Sequence, residues 1–250
     1  MKIAVAGGTG LIGTMVVAEA RTRGHDVAVV ARSTGVDLVA GTGVAEALAG
    51  TDVVIDVTNV STLKADAATA FFSAVTRSLL EAEHAAGVTR HVALSIVGVD
   101  RAPHDYYAGK RAQELLVEKA PLDWTILRAT QFHEFAPQMY AAAKAGPLHL
   151  APRMRTQPIA AREVAARLVD LAEGPARGYV EIAGPREESL VDMVRRFARA
   201  SGHRGWIPSI PLPGPLGRAQ RDGTLLPGPD AERGSETFTA WLARTAPSAP

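Results

Sequence analysis

Short apolar runs alternate with longer amphipathic stretches along much of the chain. KIAVA at Lys2–Ala6 is apolar on both faces, the pattern of a strand buried within a sheet. Leu11–Arg23 follows as a helix, with Gly24 placed to close it. The same alternation predicts strands at Val27–Ala31, Val53–Val57, His91–Ser95, Trp124–Arg128 and Tyr179–Ala183. It predicts helices at Val44–Ala49, Ala67–Ala86, Tyr107–Lys119, Arg162–Ala172 and Ser189–Ala200. In the longest of these, Ala67, Phe71, Val75, Leu79, Ala82 and Ala86 recur at three- and four-residue steps, and Gly87 ends it. Strand–helix–strand alternation with two-faced apolar strands specifies an α/β class, a doubly wound parallel sheet covered by helices on both faces.

The pattern breaks at Gly205–Pro229. Pro208, Pro211, Pro213, Pro215, Pro227 and Pro229 sit there among glycines and are expected to prevent long helices or strands. Trp206, Ile207, Ile210, Leu212, Leu225 and Leu226 make the stretch too apolar for a solvated linker, so an ordered wrap is expected. Phe238, Trp241 and Leu242 then suit a final docked helix.

The chain has 250 residues, 47% of them hydrophobic, which suits one domain with a sizeable core. The boundaries read as a single nucleotide-binding domain over 1–250, with about 131–160 and 184–250 forming a small substrate-side subdomain. Lys and Arg number 27 against 26 Asp and Glu, for a net charge of +1. No basic face points to a nucleic-acid or membrane partner, and the expected partner is a small-molecule substrate. Cysteine is absent, which excludes disulfides, thiolate catalysis and Cys-held metals. The seven histidines form no i, i+4 pair, so no metal is expected. No Gly-x-Ser-x-Gly elbow argues for a serine hydrolase. The opening MKIAVAGGTG is too short an apolar run for a secretory signal, and a cytoplasmic location is expected.

Gly7-Gly8-Thr9-Gly10-Leu11-Ile12-Gly13 follows the first strand and opens the first helix. A dinucleotide pyrophosphate needs this arrangement, and with it the fold reads as Rossmann-type. Gly7 allows a tight turn, Gly10 lets backbone approach phosphate, and Gly13 lets the helix pack closely. The free N–H groups of this turn then bind the anion, which makes Gly7, Thr9, Gly10, Leu11, Ile12 and Gly13 the candidate cofactor contacts. The second strand ends in Ala31-Arg32-Ser33, without the carboxylate that commonly binds the ribose hydroxyls of NAD. Arg32 can pair a 2′-phosphate, so NADP(H) is favoured over NAD(H); the alternative is a solvated loop arginine. Asp37, a few residues on, is a candidate for the adenine or ribose.

Together with LSIVGVD at 94–100, YYAGK at 106–110 and LRATQFHEF at 127–135, the GGTGLIG turn resembles the atypical short-chain dehydrogenase/reductases, and among them the NmrA-like NAD(P)-binding branch. The resemblance extends through GPREESL at 184–190 and TFTAWLA at 237–243. It implies that Asp37 and Leu38 lie by the adenine and that Val57, Thr58 and Asn59 run along ribose and phosphates. It implies that Ser95 is the catalytic hydroxyl, bonding the substrate oxygen, and that Arg128–Phe132 lies beside the nicotinamide. Relatives often carry a proline in that last segment, and this chain does not. The branch mixes active reductases with proteins that bind cofactor without demonstrated chemistry.

Tyr106 and Lys110, at i and i+4, share a helix face. Reduction of a carbonyl needs a proton donor near the forming alkoxide, and an ammonium nearby lowers a tyrosine pKa toward that task. Lys110 is also a candidate contact to the nicotinamide ribose. Tyr107, at i, i+3 from Lys110, competes with Tyr106 for the role. Gly109 weakens the helix containing them by about 1 kcal/mol relative to alanine. Glu114 is read as an ion-pair partner of Lys110 or Arg111. Gln131, Phe132 and His133 follow a strand's carboxyl end, where open α/β sheets bind ligands, and are candidate substrate contacts. His133 is a candidate proton relay, the alternative being a hydrogen-bonded structural histidine.

The leading expectation is an NADP(H)-dependent oxidoreductase acting on a small carbonyl or quinone-like substrate. The alternatives are a non-catalytic NADP(H)-binding redox sensor and an NAD(P)-dependent epimerase or dehydratase.

Overall fold

The computed structural model describes residues 1–146 and 148–245. In chain order the main elements are β1 (Lys2–Ala6), α1 (Leu11–Thr22), β2 (Asp26–Val30), α2 (Val44–Leu48), β3 (Val53–Asp56), α3 (Ala65–Ala86), β4 (Arg90–Ile96), α4 (Tyr106–Val117) and β5 (Asp123–Ala129). There follow α5 (Phe135–Ala142), α6 (Ala161–Glu173), β6 (Gly178–Ala183), α7 (Leu190–Ala200), α8 (Gly214–Asp222), β7 (Glu232–Arg233) and α9 (Phe238–Thr245). The seven strands form one parallel sheet in the order β7-β6-β5-β4-β3-β1-β2, a Rossmann-type α/β fold. Ile3 pairs with Val27 on one side and Val53 on the other, and Val54 pairs with His91. The order reverses between β1 and β3, the switch point at which doubly wound sheets open a crevice beyond their strand ends.

The chain divides into two compact units, 1–128 with 162–180 and 129–161 with 181–250. In the first, β1 and β3 are buried on both faces, as their continuous apolar runs require. Ala4, Ala6, Val54, Leu48, Val75 and Leu79 form one core cluster there. Helices α3 and α4 cross at Gly109, where an added Cβ would lie 2.5 Å from the Ala68 carbonyl carbon. A glycine that weakens an isolated helix is therefore what lets this pair close. The stretches 131–160 and 184–250 lie in the second unit, except that Pro147 and 246–250 fall outside the described residues. There the last residues of β6, Ile182 and Ala183, pair with Glu232 and Arg233.

Most element ends agree with the pattern to within two residues. Helix α4 begins at Tyr106, not Tyr107, because Asp105 breaks the chain direction just before it. Asp105 has φ 52° and ψ −128°, and the Tyr107 N–H donates to the His104 carbonyl at 2.9 Å, closing a turn of the II′ kind. Two helices depart from expectation. Helix α5 forms without a strong apolar period in its sequence, so the pattern does not mark it. Helix α8 spans nine residues inside the proline-rich stretch. Pro215 sits in its first turn, where a missing N–H costs no helical bond.

Candidate active site

The glycine turn has the backbone the sequence requires. Gly7 holds φ +79°, and a Cβ there would lie 2.9 Å from the Val57 carbonyl oxygen. A Cβ on Gly13 would meet the Gly7 carbonyl oxygen at 2.1 Å, so only glycine lets α1 start this close to the turn. Gly10 differs: the nearest atom to an added Cβ is 3.4 Å away. The Gly7, Gly8 and Gly10 amides donate to Val30, Val5 and Gly7 carbonyls, and the Thr14 amide donates to Gly10. Among the described residues the amides of Thr9, Leu11, Ile12 and Gly13 find no backbone acceptor. Thr9 and Leu11 are exposed. Four unpaired donors beside an exposed apolar side chain, at the positive end of a 12-residue helix, fit a dinucleotide pyrophosphate.

The loop after β3 abuts this turn at Val57 and Thr58. The buried Asp56 carboxylate organises the loop by accepting the Thr58 amide at 2.8 Å and the Gln113 side-chain amide at 2.7 Å. Among the described residues the buried Thr58 hydroxyl finds no hydrogen-bond partner. Arg32, at the end of β2, is exposed, and no ion pair engages it among the described residues. Asp37 caps its own loop through one carboxylate oxygen, which accepts the Val39 and Ala40 amides at 2.9 and 3.1 Å. Leu38 is a core residue packed with Val36 and Val44, not a ligand-facing side chain.

The serine–tyrosine–lysine group is assembled differently from the expected relay. Ser95 is 3% exposed and donates its only hydroxyl proton to Glu114 at 2.6 Å, leaving none for a substrate oxygen. Lys110 is 4% exposed and donates to the Leu94 carbonyl and the Gln113 side chain at 2.9 and 2.8 Å, with the Phe72 ring 4.5 Å away. Two of its three ammonium donors are therefore engaged within the protein, one of them in the Asp56–Gln113 chain. Burial pulls its pKa down to about 8, opposed by the Asp56 and Glu114 charges. Half-buried Tyr106 donates to the Asn59 side-chain oxygen at 2.6 Å. Burial pushes its pKa up, with a smaller contribution from Tyr107, so Lys110 does not lower it as the spacing suggested. Tyr107 is buried, its ring edge-on to Tyr106.

Sequence reasoning missed what holds Ser95. The buried Glu114 carboxylate also takes Arg128 Nε and Nη2 at 2.9 and 2.8 Å, and Arg111 at 2.9 Å. Arg128 reaches Asp100 at 2.8 Å and lies over the Tyr179 ring at 4.2 Å. Desolvation opposes ionisation of Asp100, but the Arg128 charge and hydrogen bond, with a backbone hydrogen bond and the Arg101 charge, together outweigh it and lower the pKa. The i, i+3, i+4 spacing of Lys110, Gln113 and Glu114 was the available signal. It places three polar side chains on one helix face that the fold then buries.

In the second unit, His133 is fully buried. Its Nε2 lies 3.0 Å from the Glu236 carbonyl oxygen, and its ring packs on Phe238 and Trp241. That is the structural alternative, and it removes His133 as a solvent-reaching relay. Gln131 and Phe132 are half-buried; the Gln131 side-chain oxygen accepts the Thr156 hydroxyl at 2.7 Å. No group of three or more potential metal ligands occurs among the described residues. No described helix is long and apolar enough to cross a membrane.

Comparison with known proteins agrees with this geometry. Three solved structures share the fold across nearly the whole chain. A short-chain dehydrogenase/reductase superfamily protein from Agrobacterium tumefaciens with bound NAD is 18% identical, with 98% of this chain and 96% of that one covered and a TM-score of 0.68. An NADPH-dependent quinone oxidoreductase from Escherichia coli complexed with NADPH is 16% identical, with 97% and 99% covered and a TM-score of 0.70. A UDP-glucose 4-epimerase from Thermus thermophilus in complex with NAD is 17% identical, with 99% and 94% covered and a TM-score of 0.67. No curated protein matches the chain. A family model described as NAD(P)H-binding matches residues 7–175, from the first glycine of the turn to beyond α6. The chain is therefore a member of the NAD(P)H-binding family, with a fold like that of the short-chain dehydrogenase/reductases.

Proposed function

We propose that the protein is an NADP(H)-dependent oxidoreductase whose acceptor is a small quinone-like molecule. The observation carrying the cofactor preference is the end of β2, where unpaired Arg32 stands in place of a carboxylate. When bound, the dinucleotide supplies a hydride. The chain's own residues hold it: the α1 amides take the pyrophosphate, Arg32 the 2′-phosphate, and the Val57–Asn59 loop lies alongside.

The acceptor class follows from proton chemistry. Ser95 and Lys110 are committed within the protein, and Tyr106 keeps its proton. A simple ketone yields a strongly basic alkoxide and needs a poised acid. A quinone yields a weakly basic hydroquinone anion that takes its proton from water. Half-buried Tyr106, whose partner Asn59 is a neutral amide, exchanges that partner for the acceptor oxygen and then serves as a hydrogen-bond donor, not as the proton source. The Escherichia coli neighbour, an NADPH-dependent quinone oxidoreductase, is consistent with this reading.

Steady-state turnover with quinone and ketone panels, using NADPH and NADH, is the test. Quinone reduction at roughly 1 per second or faster is expected. Arg32→Glu is expected to reduce NADPH binding at least about tenfold while sparing NADH. An unchanged NADPH preference refutes the cofactor assignment. The internal commitment of Ser95 and Lys110 also favours one second reading, a nucleotide-binding redox sensor; tight NADPH binding without turnover on any acceptor selects it.

A further inference from the structure

The second unit carries a concavity between the end of α7 and the loop at 201–207. Helix α7 ends in a tight motif: Gly202 at φ +83° donates to the Arg199 carbonyl at 3.0 Å, and the His203 amide to the Ala198 carbonyl at 2.9 Å. Arg195 then clamps the loop back on the helix, donating Nε and Nη2 to the Ile207 carbonyl at 3.2 and 2.9 Å. The result is an ordered concavity of about 750 Å³ lined by Arg195, Arg199, His203, Arg204, Trp206 and Ile207.

Its lining is unusual in three respects. Trp206 is 73% exposed, although tryptophan is seldom left so open. Arg199 and Arg204 are exposed, and among the described residues no carboxylate pairs with either. The His203 Nε2 atom is buried and finds no hydrogen-bond partner among the described residues, while its ring is held edge-on against the stacked Tyr140 and His149 rings. Every residue of this site lies in 181–250, and none belongs to the glycine turn.

We propose that this concavity binds a small molecule in which a planar aromatic ring carries a phosphate group. Trp206 supplies a face for stacking, and Arg199 and Arg204 supply forked donors that match phosphate oxygens. The volume suits one nucleotide-sized ligand, and the concave shape favours a small molecule over a protein surface. Two sources share this chemistry, a nucleoside phosphate and a simple aryl phosphate.

The test uses the full chain with NADPH saturating, so that the glycine turn is blocked. AMP, phenyl phosphate and inorganic phosphate are titrated by calorimetry and by tryptophan fluorescence. Saturable binding of at least one organic phosphate is expected, with inorganic phosphate at least about tenfold weaker. AMP binding tighter than phenyl phosphate identifies the nucleotide source, and equal binding the simple aryl source. The Arg199→Ala/Arg204→Ala double variant is expected to lose about tenfold or more in affinity, and Trp206→Leu to lose the fluorescence response. These side chains are exposed, so the variants are expected to fold as the parent does, checked by circular dichroism. The proposal is overturned if neither organic phosphate binds, if binding survives the double arginine change, or if inorganic phosphate binds as well as the organic ones. It is equally overturned if a concentration-dependent dimer depends on Trp206 and no organic phosphate binds.

Discussion

Lys110 offers a quantitative check on how polar side chains are buried in α4. Its ammonium lies beneath the protein surface with two hydrogen-bond acceptors and an aromatic face, and desolvation brings its pKa from an ordinary 10.5 down to about 8. The linkage has a definite sign. Between pH 8 and 10.5 the unfolded chain keeps the lysine proton and the folded chain has released it, so stability rises with pH across that window. Each pH unit is worth about 1.4 kcal/mol, so the full window contributes about 3 kcal/mol, and pH 8 to 9.5 about 2 kcal/mol. The assay is urea denaturation of the wild type and Lys110→Met at half-unit steps from pH 7 to 9.5. Taking the difference between the two proteins cancels Tyr106 and Tyr179, whose raised pKa values act alike in both. The wild-type stability relative to the variant is expected to climb by about 2 kcal/mol above pH 8. A flat difference would refute the idea that Lys110 is held in a desolvating site.

Three further outcomes follow from close contacts. Gly109→Ala is expected to destabilise the protein by about 2 kcal/mol or more, read as a fall in Tm, because the new methyl group meets the Ala68 backbone at 2.5 Å; an unchanged Tm contradicts the α3–α4 crossing. Glu114→Gln is expected to cost about 3 kcal/mol in urea denaturation, since buried Arg128 loses its bidentate carboxylate; a loss below about 0.5 kcal/mol shows that Asp100 suffices alone. Asp105→Gly is expected to raise stability by about 1 kcal/mol by relieving positive φ, measured by the same titration, and a fall instead contradicts the strained turn.

Much of the nucleotide-binding half was legible because its signals are local. Apolar runs on both faces of β1 and β3 announce a buried parallel sheet, and the GGTGLIG turn directly after β1 announces an anion site. These depend on neighbours within about seven residues. The roles of Ser95, Lys110 and His133 depend on residues far away in sequence. Ser95 is engaged by Glu114, 19 residues on, and His133 meets Glu236, 103 residues on. Gly109 reads as a weak point along its own helix and becomes a requirement only once Ala68 is beside it.

By itself, then, the order of apolar and polar residues determined the α/β class, the position of the glycine turn and the absence of a carboxylate at the end of β2. Only the tertiary structure decided which polar groups stay available. Burial removes water as a hydrogen-bond partner, so an enclosed donor is stabilised by a protein acceptor within reach. That rule turns Ser95 and Lys110 inward, while among the described residues the Thr9, Leu11, Ile12 and Gly13 amides of the glycine turn keep no backbone acceptor.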